Sequence, residues 1–272
     1  VARRAEIFAV GNVVPRRVSY AISIDPARLL VENSDPADTL GDLWLSGKLP
    51  NDLTLSVGQF KLPIASEGFF LASNLLLPEL SPVSLQFGDE RALGAKLERW
   101  SRRFSYSLGV YNPELSAPNE AGAVKDLAGR VEVSPVPGLV LAGAGLARVG
   151  TVAAADQKNR VELDASLRRD LWALCGEVHV ARDGDIPAGG AFVSAAAPLP
   201  RWEGAQLALR ASLLGRDLRP EENQDALREL SLGVNYFLRK DASRFHASVS
   251  VFRGPNDADD KTQLLLGALF VL

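Results

Sequence analysis

Apolar and polar residues alternate through this sequence in segment after segment, and that alternation limits the available folds more than any other feature. In RVSYAISI, Val18, Tyr20, Ile22 and Ile24 fall on one face, and Arg17, Ser19, Ala21 and Ser23 on the other. In LTLSVGQF, Leu53, Leu55 and Val57 oppose Thr54, Ser56 and Gly58; in RFSYSLGVY, Phe104, Tyr106, Leu108 and Val110 keep phase. A period of two marks a strand whose faces meet unlike surroundings. About fifteen such segments follow one another, the first expected over Arg4–Val10 and the last at TQLLLGALFVL.

The polar faces are unusually charged. Lys96 with Glu98, Arg130 with Glu132, Arg160 with Glu162 and Asp164, Glu177 with His179, and Arg210 and Arg244 all point away from the apolar side. A soluble sandwich of so many strands would carry two wholly polar outer faces. With aromatic residues at 7%, it would also have little aromatic core. The connections alternate as well. Short turns such as Ser134–Gly138 are followed by longer polar loops such as Asn112–Ala123, Gly150–Lys158 and Leu214–Ala226. Outer-membrane barrels treat their two ends in this way. The fold expected is therefore all-β: a transmembrane antiparallel β-barrel in the bacterial outer membrane, with residues 1–272 as one domain. Fifteen visible strands make an odd number, whereas single-chain bacterial barrels have even numbers, so a sixteenth strand is expected upstream of Val1. The opening VARRAEIF and the lack of methionine fit a processed or truncated form.

Composition excludes several other classes. No run of about 18 apolar residues exists for a membrane helix. The net charge of -3 leaves no basic footprint for nucleic acid. Cys175 is the only cysteine, so neither a disulfide framework nor a zinc cluster is expected. No G-x-S-x-G elbow, phosphate-cradling loop or dinucleotide fingerprint is present, and neither an enzyme nor a cofactor is expected. Glu177 and His179 share a face and suit either a metal or a polar lumen. Three protein ligands are usual for a catalytic zinc, which favours the lumen. Asp257, Asp259 and Asp260 fit a solvated loop better than a calcium site, since their spacing matches no ion-binding loop. Trp100, Trp172 and Trp202 fall beside short turns, where an interfacial aromatic belt belongs, whereas Trp44 is out of phase with its leucines and is expected inside.

One connection stands apart. After Lys61 comes IASEGFFLASNLLLP, which is too apolar for an ordinary surface loop. The strand before it, VGQFKLP, resembles one in the phosphate-selective porin O/P family that ends in G-Q/R-F-K-x-P ahead of a loop folded into the pore. RRAEIFAVGNV, FSYSLGVYN and LSLGVNYFL resemble further strands of that family, in the same order, and the likeness runs from about Arg3 to the end. The resemblance implies a sixteen-stranded outer-membrane porin, commonly a homotrimer, with residues 64–82 folded into the lumen. Small hydrophilic solutes or anions would then diffuse through passively. Lys48, Lys61, Lys96, Arg103, Arg130, Arg160, Arg210 and Arg244 are the pore-lining, anion-attracting candidates. Ser66, Glu67, Phe69, Phe70 and Asn74 are the constriction candidates. Residues 64–82 contain no Lys or Arg, only Glu67 and Glu79, and a lumen of mixed charge selects ions weakly. The apolar loop also fits a second reading, a barrel that anchors or is plugged by an envelope protein docked at Phe69–Leu77. Outer-membrane lipid is the partner common to both readings.

Overall fold

The computed structural model describes residues 6–15, 17–27, 39–69, 75–113, 124–151, 153–219, 226–239, 243–255 and 260–270. Fifteen strands run in chain order: β1 (Ile7–Val14), β2 (Val18–Ile24), β3 (Leu40–Lys48), β4 (Leu53–Lys61), β5 (Arg91–Arg99), β6 (Phe104–Tyr111), β7 (Lys125–Val133), β8 (Leu139–Val149), β9 (Lys158–Arg169), β10 (Trp172–Asp183), β11 (Ile186–Pro198), β12 (Ala205–Gly215), β13 (Ala226–Arg239), β14 (Ser243–Arg253) and β15 (Lys261–Phe270). Each pairs antiparallel with the next, in one sheet whose spatial order is the sequence order, and β1 and β15 are its two edges. Among the described residues, no helix is long and apolar enough to cross a membrane.

The alternation read from the sequence becomes two contrasting faces. Leu163, Val180, Leu264 and Leu266 are 66%, 65%, 67% and 76% exposed, while Arg130, Glu162, Glu177, His179, Arg210 and Glu229 are all buried. A water-soluble fold places these classes the other way round. So large an apolar surface is stable only against lipid. The charged side is the inner face. Register keeps the phase along whole strands: β9 and β10 pair without a slip from Lys158 opposite Asp183 to Arg169 opposite Trp172.

Three boundaries differ from the sequence reading, each for a local reason. β1 extends to Val14 rather than stopping at Val10, because Gly11 and Asn12 pair with Tyr20 and Ser19. Beyond it, the Arg17 N–H donates to the Val14 carbonyl at 3.0 Å. β10 and β11 meet in a two-residue turn, Gly184 and Asp185, with Gly184 at φ 63°. The alternation of short and long connections lapses there. β11 begins in Ile-Pro-Ala-Gly-Gly, whose small residues hide its strand pattern. Finally, the long connection 62–90 contains two short helices, α1 (Ser66–Phe69) and α2 (Pro82–Phe87). Ser81 caps α2 by accepting from the Ser84 N–H, and Pro82 opens its first turn.

Upstream of this connection, Gly58 has φ 135°, and a Cβ there would sit 2.2 Å from the Leu43 carbonyl oxygen. No other residue fits that close approach of β4 to β3.

Candidate functional site

The inner face and the 62–90 connection packed on it form the site. Apolar residues of the connection bury themselves in three places. Leu62 and Ile64 join Phe60, Ala92, Tyr111, Ala128 and Leu146 of β4–β8, with Trp44 packed alongside. Leu76 and Leu77 sit on Ala173, Ala196 and Ala208 of β10–β12. Val83 and Phe87 of α2 sit on Ala181, Ala188, Phe192, Leu214, Leu227 and Phe252 of β10–β14. Small wall residues make these seats. A Cβ on Gly190 would come within 2.9 Å of Val83 Cγ2, and one on Gly233 within 2.5 Å of Leu77 Cδ2.

Polar groups fasten the same stretch. Glu162 on β9 accepts the N–H of Ala65 at 2.7 Å through one carboxylate oxygen and that of Ser66 at 3.0 Å through the other. Glu177 on β10 accepts the Glu67 N–H at 2.6 Å. Buried main-chain N–H groups need partners, and these carboxyl oxygens supply them. The Glu67 side chain pairs with Arg210 of β12 at 3.1 Å and accepts the Ser81 N–H at 2.7 Å.

The expected basic residues divide by what holds them. Arg130 lies among Glu132 at 2.7 Å, Asp164 at 2.8 Å and Glu162 at 3.3 Å. Arg160 pairs with Asp183 at 2.6 Å and Glu90 at 3.3 Å, and donates to the Phe87 carbonyl at 2.9 Å. Lys61 pairs with Asp89 at 3.2 Å and donates to the Gly68 carbonyl at 2.6 Å. Lys96 pairs with Glu98 at 2.9 Å and lies 4.6 Å from the Phe60 ring centre. Arg244 is buried, its guanidinium 5.8 Å from the Phe237 ring. Lys48 and Arg103 are exposed near the short-turn end, Lys48 donating to Thr54 Oγ1 at 3.0 Å. Of the constriction candidates, Ser66 and Glu67 anchor the segment and Phe69 stacks on Trp100 at 6.1 Å. Phe70 and Asn74 lie outside the described residues. The Phe69 contact corrects the reading of Trp100, which follows Lys96 and Glu98 in phase and faces inward. Trp172 and Trp202 are exposed, as an interfacial belt requires.

Sequence reasoning missed the anchoring role of Glu162 and Glu177. Their partners lie 97 and 110 positions away, and no local signal connects them. Glu162, Glu177 and His179 do bring three ligand atoms within 4.8 Å of one another. All four carboxylate oxygens, however, already accept hydrogen bonds. The donors are Ala65, Ser66 and Arg130 for Glu162, and Glu67, Ser84 and the His179 ring for Glu177. The cluster is thus a fastening for the segment, with the His179 ring stacked on Phe87 at 5.5 Å.

An up-and-down antiparallel sheet, apolar outside and charged inside, with a long connection after its fourth visible strand laid on the inner face, is the design of an outer-membrane porin barrel. The sequence profile of the phosphate-selective porin O and P family matches residues 1–171, more than half of the chain, and the chain belongs to that family. It is accordingly an outer-membrane porin, a passive channel for small hydrophilic solutes or anions. Solved porins share the fold at low identity. A loop L8 deletion mutant of OmpT from Vibrio cholerae aligns with a TM-score of 0.63 and 14% identity, over 98% of this chain and 89% of that one. The anion-selective porin from Comamonas acidovorans aligns at 0.61 and 13%, over 98% and 84%. A porin variant of Rh. blastica aligns at 0.59 and 12%, over 98% and 89%. No curated protein matches the sequence.

Proposed function

We propose that residues 1–272 belong to a single barrel domain, that residues 64–82 narrow its lumen, and that solutes cross beside them with little discrimination by charge. The observation that carries this reading is the pairing of the lining. Lys61, Lys96, Arg130, Arg160 and Arg210 each meet a carboxylate within 3.3 Å. Strong ion choice needs a ring of one sign, and neutralised pairs provide none. The segment packs on β4–β8 and β10–β14, so the aqueous path runs past β15 and β1–β3. Inner-phase residues there include the uncharged Asn12, Ser19, Ser46 and Gln263. The relative from Comamonas is described as anion-selective; here the exposed Lys48 and Arg103 support only a mild preference for anions.

Closure follows from strand direction. β1 and β15 are both odd-numbered in an antiparallel series, so they run the same way and cannot pair antiparallel with each other. Edge N–H and C=O groups left open in lipid cost several kcal/mol each. A sixteenth strand between them closes the barrel, and three barrels assemble as a homotrimer, in keeping with the family resemblance. A strand count and subunit count from the protein imaged in membrane test both. The alternative, an envelope protein docked on the apolar loop, has less support, because Ile64, Leu75, Leu76, Leu77 and Leu80 are buried by the chain's own packing.

Selectivity is measured by the reversal potential of a planar bilayer under a salt gradient. A value close to that of unselective diffusion, displaced slightly to the anion side, is expected. A value near the anion Nernst limit overturns the weak-selectivity reading.

A further inference from the structure

We propose that Arg210, together with Glu162 and Glu177, acts as a set of positioning residues that fix the bore by clamping the constricting segment, without meeting the permeating solute. This rests on the channel reading above and adds a role for a lumen arginine opposite to the usual one. A lining arginine is normally expected to attract anions. Arg210 has no donor left for that task. Its Nε donates to both carboxylate oxygens of Glu229, at 3.2 and 3.1 Å. Nη1 donates to Glu67 at 3.1 Å and to the Glu79 carbonyl at 2.8 Å. Nη2 donates to the Leu80 carbonyl at 3.1 Å and to Glu229 at 2.7 Å. A guanidinium offers five N–H groups in a fixed fork, and here every nitrogen is engaged.

The fork grips the segment at two places. Glu67 belongs to α1, and the carbonyls of Glu79 and Leu80 stand just ahead of the Ser81 cap of α2. Glu67 also receives the Ser81 N–H, so the two helices are tied to each other and then to β12. Glu162 and Glu177 hold the opposite side, taking the consecutive N–H groups of Ala65, Ser66 and Glu67 onto β9 and β10. Within this polar frame, Leu77 is 1% exposed and Val83 fully buried on the small-residue wall. Clamp and seat act on the same segment by unrelated physics, so either can be released alone.

Two variants release it differently. Arg210→Gln removes the fork. Leu77→Asn disturbs the apolar seat from the segment's own side, without changing charge or touching a strand. For both, single-channel conductance is expected to rise roughly twofold as the covered lumen opens. The reversal potential stays unchanged for the uncharged exchange Leu77→Asn, whereas Arg210→Gln, which leaves Glu67 and Glu229 unpaired, moves it toward cations together with that rise. Unchanged conductance with a reversal potential moved toward cations means that Arg210 faces the ions, and overturns the proposal. A third variant provides a lock. A Cβ at Gly190 lies 2.9 Å from Val83 Cγ2, so the pair Val83→Cys/Gly190→Cys places the lock across this contact. The same Cβ lies 2.9 Å from the Leu213 carbonyl oxygen, so β11 must shift slightly from β12 to admit it. In an Arg210→Gln, Cys175→Ala background, oxidation is expected to return conductance to the wild-type level, and reduction to raise it again. Failure of the lock to lower conductance also overturns the proposal. If Arg210→Gln does not fold, Leu77→Asn carries the test. A wild-type protein that conducts nothing refutes the channel reading instead. The clamp is then read by the rate of disulfide formation in the lock pair, fast with Arg210 present and slow without it; equal rates refute the clamp.

Discussion

Replacing Arg130 with methionine is expected to destabilise the folded barrel by about 3–5 kcal/mol, the loss that follows when one partner of a buried ion pair is removed. Arg130 is 1% exposed and sits among Glu132, Glu162 and Asp164. Without it, three carboxylates remain in one buried cluster with their charges uncompensated, and mutual repulsion adds to the desolvation each already bears. Methionine fills the volume but supplies no donor. The comparison is Arg103→Met at an exposed position, for which a change within about 0.5 kcal/mol is expected. Urea unfolding of the protein refolded in lipid vesicles, followed by tryptophan fluorescence, measures both. Equal midpoints for the two variants would show that Arg130 is solvated in the working channel and that the ion-pair cluster is not part of the wall.

The second large effect concerns the opposite face. Val178 is 53% exposed and adjoins Glu177, which is 4% exposed, so the two side chains of β10 point to opposite sides of the sheet. Val178→Arg is expected to cost about 2–4 kcal/mol of folding free energy in a bilayer, the penalty for arginine on the lipid face near the midplane. On a protein whose valine faced water, the same change would be close to neutral. Folding into vesicles at graded urea therefore reports directly whether this face meets lipid. Leu163 on β9 pairs opposite Val178 and lies on the same face, so Leu163→Arg is expected to behave alike.

The barrel was legible because a two-residue period survives in nearly every strand. Leu43 and Leu45 against Trp44, or Leu163 against Glu162, assign a face without any knowledge of neighbours. Reading failed where side chains are small. Gly11 and Asn12 fall beyond the expected end of the first strand yet extend β1, and Ala188 and Gly190 give no strand signal yet lie beneath α2. The polar side was half legible. Arg130 and Glu132 are two apart in one strand, so their pairing follows from phase. Arg210 and Glu67 are 143 positions apart, and only the folded chain brings them together. The apolar stretch after Lys61 announced itself as material for packing. Which surface it packs on was not readable, because the seat of Leu76 and Leu77 is Ala173, Ala196 and Ala208, small residues that carry no distinguishing pattern of their own.

The most direct test is single-channel conductance in planar bilayers, with the intact protein compared with one lacking residues 66–81. A steady, ohmic opening in the intact protein and a larger one after deletion is the expected result. The deletion removes α1 and the anchored segment while leaving every strand in place. A silent intact barrel that conducts only after the deletion would instead make the segment a plug, and equal conductances would place it outside the solute path.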